Sequence, residues 1–299
     1  MLDAGVASVS TIAESSAGKQ PYTRHTHARG RMPEHISIQE VRTQVAAYVA
    51  AYPQKTGDPA IWRTPLVVTA RADERFDLLP KIAADDHALP RDLLAEAKSV
   101  VVFFIPFHKA LAKENHEGDT PCRNWGLAYQ STNQLINRLC GHLKGFFEAR
   151  GHAAALTPAT HNFDPQRLMA RWSHKHLGYI AGLGRFGVNA QFITPAGCTG
   201  RMGSLVTAAD LGDHALLGAE ELCLHKRGQK CLVCVKRCPV AAVSEAGIDR
   251  QRCWARLNHN LHTTEALAGL DSHTHVCGKC QVLVPCSLQI PPSEAVAVL

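Results

Sequence analysis

Cysteine spacing constrains this chain more than any other feature. Eight of its eleven cysteines fall between Cys223 and Cys286. They run Cys223, then Cys231-x2-Cys234-x3-Cys238-Pro239, then Cys253, then Cys277-x2-Cys280, then Cys286. A Cys-x2-Cys turn aims two thiolates at one centre, because the amides of the short loop turn inward towards the sulfurs. Such pairs suit metals. The N-terminal stretch MLDAGVASVSTIAESSAGKQ has neither a basic start nor a continuous apolar block, so no secretory signal and no disulfide framework are expected.

The run from Cys231 to Pro239 matches the end of the bacterial ferredoxin pattern C-x2-C-x2-C-x3-C-P, whose last cysteine ligates the other of two clusters. Applied here, that crossover divides eight thiolates four and four. Cys231 and Cys234 hold one [4Fe–4S] cubane with Cys223 and Cys286; Cys277 and Cys280 hold the other with Cys238 and Cys253. Gly228 stands where the first ferredoxin cysteine would be, so Cys223 must reach in from a longer loop. A pair of zinc ribbons is the alternative, since Cys-x2-Cys turns are also zinc knuckles. The Cys238-Pro239 crossover favours clusters.

With 299 residues, 45% hydrophobic, the chain can bury a sizeable core in one large or two ordinary domains, and no apolar run is long enough for a membrane span. A reducing, cytoplasmic setting is expected. The net charge of +6 does not by itself indicate nucleic acid. Between Lys226 and Arg252, seven Lys or Arg residues face only Glu245 and Asp249; this reads as a solvated loop around the thiolates or as a docking patch for an acidic electron donor or RNA.

Three regions are expected: a flexible leader over 1–36, an α/β domain over 37–218 and a cysteine-rich domain over 219–299. Ser37 and Glu40 predict a capped helix that Pro53 ends. Leu66–Thr69 and Ser99–Phe107 read as strands, the second a continuous apolar run of the buried kind. Trp125–Arg150 carries a helical pattern closed by Gly151, and Ala153–Leu156 reads as a returning strand. Cys122 and Cys140 read as small buried side chains.

From Asp164 to Leu211 the sequence predicts a helix beginning near Pro165 and bearing Arg171, Trp172, His174 and His176. Then come the small residues of Ala181–Asn189, and a hairpin pairing Phe192–Thr194 with Gly203–Thr207. Gly182, Gly184 and Gly187 permit either close approach to a ligand or tight turns, and they lack the context of a dinucleotide fingerprint. His174, His176, Tyr179 and Asp164 are the candidate proton donors. Two residues apart on a helix, His174 and His176 diverge by about 200° and cannot face one cavity. Asp164 also suits an N-cap. Arg171 and Arg185 could hold phosphate or carboxylate, or form surface ion pairs. Cys198, in a Gly-containing turn, is a candidate reactive thiol.

These stretches together resemble the epoxyqueuosine reductase family, iron–sulfur and cobalamin proteins related to reductive dehalogenases. The likeness is carried by EAKSVVVFFIPF (Glu96–Phe107), AGLGRFGVNAQFIT (Ala181–Thr194), GSLVT (Gly203–Thr207), KCLVCVKRCPVAAV (Lys230–Val243), the Arg252-Cys253-Trp254 triplet and Cys277-Gly-Lys-Cys280. The resemblance implies an α+β fold: a nitroreductase-like α/β N-terminal domain holding base-off cobalamin, then a ferredoxin-like domain with two [4Fe–4S] clusters. It implies a corrinoid cavity lined by Ala181, Gly182, Gly184, Gly187, Asn189 and Ser204. It also implies a low-potential donor of ferredoxin or flavodoxin type, and a small-molecule or modified-nucleoside substrate with tRNA as a partner.

The family's proton-donating aspartate falls at Leu168 here, and the chain stops soon after Cys286 without a C-terminal helical repeat. Weak or absent activity on epoxyqueuosine tRNA is therefore expected. The function read from the sequence is an oxidoreductase that passes electrons from two clusters to a corrinoid or substrate. The alternatives are a ferredoxin-type carrier without its own catalytic site, and a zinc-ribbon module that binds nucleic acid.

Overall fold

The first helix, α1 (Ile38–Thr56), begins at the capping box its sequence predicts. The Glu40 amide donates to Ser37 Oγ at 3.3 Å, and the Ser37 amide donates to the Glu40 carboxylate at 2.8 Å. Pro53 does not end it. Proline's fixed φ is itself helical, and so near a C-terminus only its missing N–H is lost. The helix closes instead at Gly57, whose left-handed φ of 74° lets its amide reach Pro53 O at 2.8 Å.

The computed structural model describes residues 33–159 and 163–292; nearly all of the expected leader lies outside them. The described residues belong to one compact α+β unit. After α1 come strands β1 (Leu66–Arg71) and β2 (Ser99–Pro106), then helix α2 (Arg123–Glu148) and strand β3 (Ala154–Leu156). Then follow strands β4 (Phe163–Asp164) and β5 (Met169–Ala170), helix α3 (His174–Ile180), and strands β6 (Arg185–Phe186), β7 (Phe192–Ile193) and β8 (Gly200–Thr207). The cysteine-rich stretch adds β9 (Val243–Ser244), β10 (Gly247–Ile248) and helix α4 (Arg250–Thr263). Among the described residues, no helix is long and apolar enough to cross a membrane.

The central sheet is antiparallel, in the order β1-β2-β8-β3. Every residue of β2 is buried, which explains its unbroken apolar run. Val101, Phe103 and Ile105 point into a core shared with α1 and α2, and Val100, Val102 and Phe104 into a second core with Trp172 and Leu177.

Two sequence expectations fail here. The helix expected from Pro165 is a short hairpin, β4 against β5, and α3 begins only at His174. Asp164 organises the turn: its Oδ1 accepts from the amides of Gln166 and Arg167 at 2.8 Å, an Asx turn that competes with helix formation. Leu168 completes the turn with φ of 54°. The hairpin expected between Phe192–Thr194 and Gly203–Thr207 is also absent. β7 pairs with β6, while β8 pairs along its whole length with β2, where both of its faces find a core.

Candidate functional site

Strand β3 is too short to cover β8. It pairs only with Leu205–Thr207, so among the described residues the Gly200–Ser204 half of β8 has no strand on that side. A cavity of about 420 Å³ lies at this half of the strand. One wall comes from the α/β part, including Trp172, His174, Lys175 and Arg201; the other is Cys238, Cys253, Cys277 and Cys280. Its volume falls in the range of ordinary small-molecule sites.

The other four cysteines of the block gather elsewhere. Cys223, Cys231, Cys234 and Cys286 line a second, much smaller pocket beside Val188 and Asn189. Electrostatic neighbours divide the same way: Cys234 feels Cys286, Cys223 and Cys231, while Cys253 feels Cys277 and Cys238. Cys280, of the cavity set, also feels Cys234, so the sets adjoin. Burial, reinforced by neighbouring sulfurs, pushes the Cys234 thiol up to about 12 and that of Cys253 up to about 11. The thiols are therefore neutral at pH 7 unless a bound cation offsets the charge. Among the described residues, no three Cys, His, Asp or Glu side chains converge on a single-ion site.

Buried hydrogen bonds hold the cysteine block against the sheet. The Cys198 amide donates to Cys286 O at 2.9 Å, and Thr199 N donates to Ser287 O at 2.9 Å. Gly197 permits this approach, since a Cβ there would sit 2.3 Å from Ser287 O. Fully buried Asn189 donates from Nδ2 to Cys280 O at 2.7 Å and accepts from Gln191 N at 3.1 Å. Lys279, 1% exposed, donates its ammonium to Asn115 O and Glu117 O, both at 2.7 Å.

A wider groove of about 750 Å³ continues from the cavity, sharing Ala159, Ala170, Ser173 and Lys175 with it. Leu168, His176, Phe186, Lys226 and Arg250 also line it. His174 and His176 therefore face different spaces, as their helical spacing requires.

The four expected proton donors lie in different surroundings. His174 has both ring nitrogens engaged, Nδ1 with Ser204 Oγ at 2.7 Å and Nε2 with Pro158 O at 3.3 Å. Since Trp172 Nε1 already donates to Ser204 Oγ at 3.0 Å, the hydroxyl donates to Nδ1 and the Nε2 proton goes to the Pro158 carbonyl. Burial pulls the imidazole down to about 4, so it is neutral at pH 7 and has no free proton to give. His176, on the groove, is also lowered by burial to about 4, and its Nδ1 pairs with Ser173 Oγ at 2.8 Å. Tyr179 is 38% exposed, with the Arg185 guanidinium over its ring, and lines neither space. Asp164 sits exposed at its turn, where the amides of Arg167 and Gln166 hold its carboxyl below the usual range.

The small residues assigned to a corrinoid wall also serve the protein itself. A Cβ on Gly182 would lie 2.6 Å from Ala215 Cβ, and one on Gly184 would lie 2.4 Å from Ile193 O. Ala181, Gly182 and Gly184 line neither cavity nor groove, and Gly187 touches only the groove and the smaller pocket. Ser204 is fully buried with Trp172 and His174. Arg171 pairs with Asp86 on the surface, and Arg185 donates to Gly184 O and Gly218 O. Cys198 is 3% exposed, its Sγ donates to Gln281 O at 3.8 Å, and it borders the cavity.

Sequence reading missed the cavity's cations. Lys175 lies between the two flagged histidines and reaches Ala190 O at 3.0 Å; burial lowers its pKa. Arg201 heads β8, with its guanidinium over the Tyr129 ring at 4.4 Å. The signal available in the sequence was an arginine interrupting an otherwise small and apolar strand, Gly200–Thr207.

By sequence, no family model and no curated protein matches the chain. By structure, it is similar to an epoxyqueuosine reductase crystallised with an epoxyqueuosine-modified tRNA-Tyr stem loop (TM-score 0.51, 16% identity, covering 83% of this chain and 66% of that one). It is similar to a catabolic reductive dehalogenase (TM-score 0.50, 16% identity, covering 75% of this chain and 30% of that one). An epoxyqueuosine reductase from Bacillus subtilis gives a TM-score of 0.48 at 16% identity, covering 84% of this chain and 69% of that one. The chain thus spans under a third of the length of the dehalogenase and about two thirds of the reductases. Over most of its length, at low sequence identity, it has the fold shared by epoxyqueuosine reductases and reductive dehalogenases.

Proposed function

We propose that this protein is an iron–sulfur reductase in which two [4Fe–4S] clusters feed single electrons to an acceptor bound in the cavity. The observation that carries the reading is the shared wall. Cys238, Cys253, Cys277 and Cys280 line the same space as Trp172, Lys175 and Arg201.

The donor set fits two cubanes. The eight thiols fall into two groups of four, as two cubanes with one thiolate per iron require. When bound, the clusters supply electrons one at a time at low potential. Cys223, Cys231, Cys234 and Cys286 form the entry side, next to Lys226 and Lys230, which suit an acidic low-potential donor.

The chain's own residues supply the rest. Lys175 reaches both spaces, and burial makes its ammonium a readier acid, so it takes the proton-donating role that the histidines, Asp164 and Tyr179 do not fill. A corrinoid has no place against Gly182 or Gly184, and of the two spaces only the groove has the breadth for one.

Anaerobic reconstitution tests the core of the reading. Iron and sulfide should each approach about eight per chain, as two four-iron clusters require. Cys238→Ala should lose about half of each. Stoichiometric zinc without a visible chromophore would overturn the reading. Cob(II)alamin added anaerobically tests the groove: a base-off paramagnetic resonance spectrum is expected if it binds, and the spectrum of the free cofactor if it does not.

A further inference from the structure

Charge is shared unevenly between the two sets of cysteines. Lys175, Arg201 and Arg256 line the cavity beside Cys238, Cys253, Cys277 and Cys280, and among the described residues no Asp or Glu lines it. No charged side chain among the described residues lines the pocket of Cys223, Cys231, Cys234 and Cys286, whose wall is made largely by Val188, Leu224, Val284, Pro285 and Pro291. Lys226 and Lys230, near that pocket in sequence, are exposed, and Lys226 lies 3.8 Å from the Glu221 carboxylate. Cys231 and Cys234 feel other thiols of their set, and no cation among the described residues. Backbone amides reach sulfurs in both sets, Val233 N at Cys231 and Ala242 N at Cys238, so they do not separate the two.

Lys279 brings a fourth cation to the cavity side, from behind the wall. It belongs to the Cys277-Gly-Lys-Cys280 turn, is 1% exposed, and lines neither space. Burial works against its charge; the Cys277 side chain and the carbonyls of Asn115 and Glu117, each 2.7 Å from Nζ, work for it. Cys277 also feels Arg256, and Lys175 feels Cys280 and Cys253. The acids felt on this side, Asp119 and Asp249, are exposed, and solvent screens them.

We propose that the chain holds its two centres at unequal potentials, the cavity centre the higher, and that its enclosed cations, Lys279 first among them, set the gap. An added electron is added negative charge. A fixed buried cation therefore favours the reduced form, and an uncharged apolar wall disfavours it. One electron passes downhill from the entry set to the cavity set, with no bond made or broken and no proton moved. The low-potential donor already proposed supplies it, and it comes to rest beside the cavity. This inference rests on the reading that both sets carry four-iron clusters.

Anaerobic redox titration of the reconstituted full-length protein, followed by paramagnetic resonance, tests it. Two one-electron midpoints are expected, with at least about a tenfold preference of the electron for one centre, a gap of about 59 mV. Lys279→Gln should lower the higher midpoint and leave the lower one in place. Lys279→Arg should keep both near their wild-type values, and exposed Lys230→Gln should move neither. A Lys279 that only braced the turn would give no such selective shift. The proposal is overturned if the wild-type midpoints coincide, if Lys279→Gln moves the lower midpoint or neither, or if Lys279→Arg shifts as far as Lys279→Gln. Should Lys279→Gln fail to fold, Arg256→Gln decides: it should lower the same midpoint, and an unmoved one overturns the proposal. Iron content measured on the same samples separates the two ideas. Absence of iron sinks both, and full iron with coincident or unmoved midpoints sinks this inference alone.

Discussion

His174 shows how far an environment can turn a familiar side chain from its usual work. With both nitrogens engaged and its pKa lowered to about 4, it is a neutral strut between Ser204 and Pro158. A folded-state pKa below the ordinary 6.5 means that the stability it contributes is present above that value and is lost as pH falls towards 4. His176 behaves alike. Thermal melts between pH 7 and pH 4 should therefore show a progressive loss, on the order of 1 to 2 kcal/mol per histidine after discounting partial exposure. His174→Gln should flatten part of that slope; an unchanged slope would show that other groups carry it. The cysteines were legible in the sequence because their chemistry is written in spacing alone. Lys175 and Arg201 were not, because a basic residue in a sequence is ordinarily a surface residue, and only enclosure gives it another meaning.

Among the elements, the two hairpins carry the lesson. Sequence reading took Asp164 as the cap of a helix, and the residue does accept backbone amides, but of a turn and not of a helix. Local chemistry was readable there, whereas pairing between β4 and β5 depends on partners that composition does not name. The glycines near β6 were read as room for a ligand or as tight turns; at Gly184, Ile193 O and Phe192 crowd the place a Cβ would take. Gly184→Ala should cost about 1 to 3 kcal/mol, the usual range for overpacking, with no direct effect on a ligand. A normal melting temperature in that variant would refute the packing account. Asn189→Ala strips the buried amide from Cys280 O and Gln191 N, and should cost about 2 to 3 kcal/mol. It should also lower iron retention at the cavity set more than at the other set, as separate paramagnetic resonance signals would report.

At the scale of the whole molecule, the cysteine block and the sheet are joined by few but deeply buried contacts, and Lys279 is the most telling of them. Its ammonium satisfies two carbonyls, of Asn115 and Glu117, and feels the Cys277 and Asp119 side chains through space. Lys279→Met should leave both carbonyls unpaired, cost about 2 to 4 kcal/mol, and loosen the cavity wall. Urea unfolding with a probe in each half would show it as a split of one transition into two; a single transition with an unchanged midpoint would count against a joining role. The central sheet was legible because β2 announces itself, but the closing of the cysteine block against β8 was not, since Gly197 and Thr199 meet Ser287 across a long stretch of chain. One consequence belongs to the brevity of β3. Because that strand stops at Leu156, part of the lining of the space beside β8 comes from connecting segments, such as those bearing Ala159 and Gln191, alongside β8 itself and the cysteine wall. Over generations those connections can be rewritten, and the shape of the space with them, while the sheet and the placing of the cysteines are inherited unchanged.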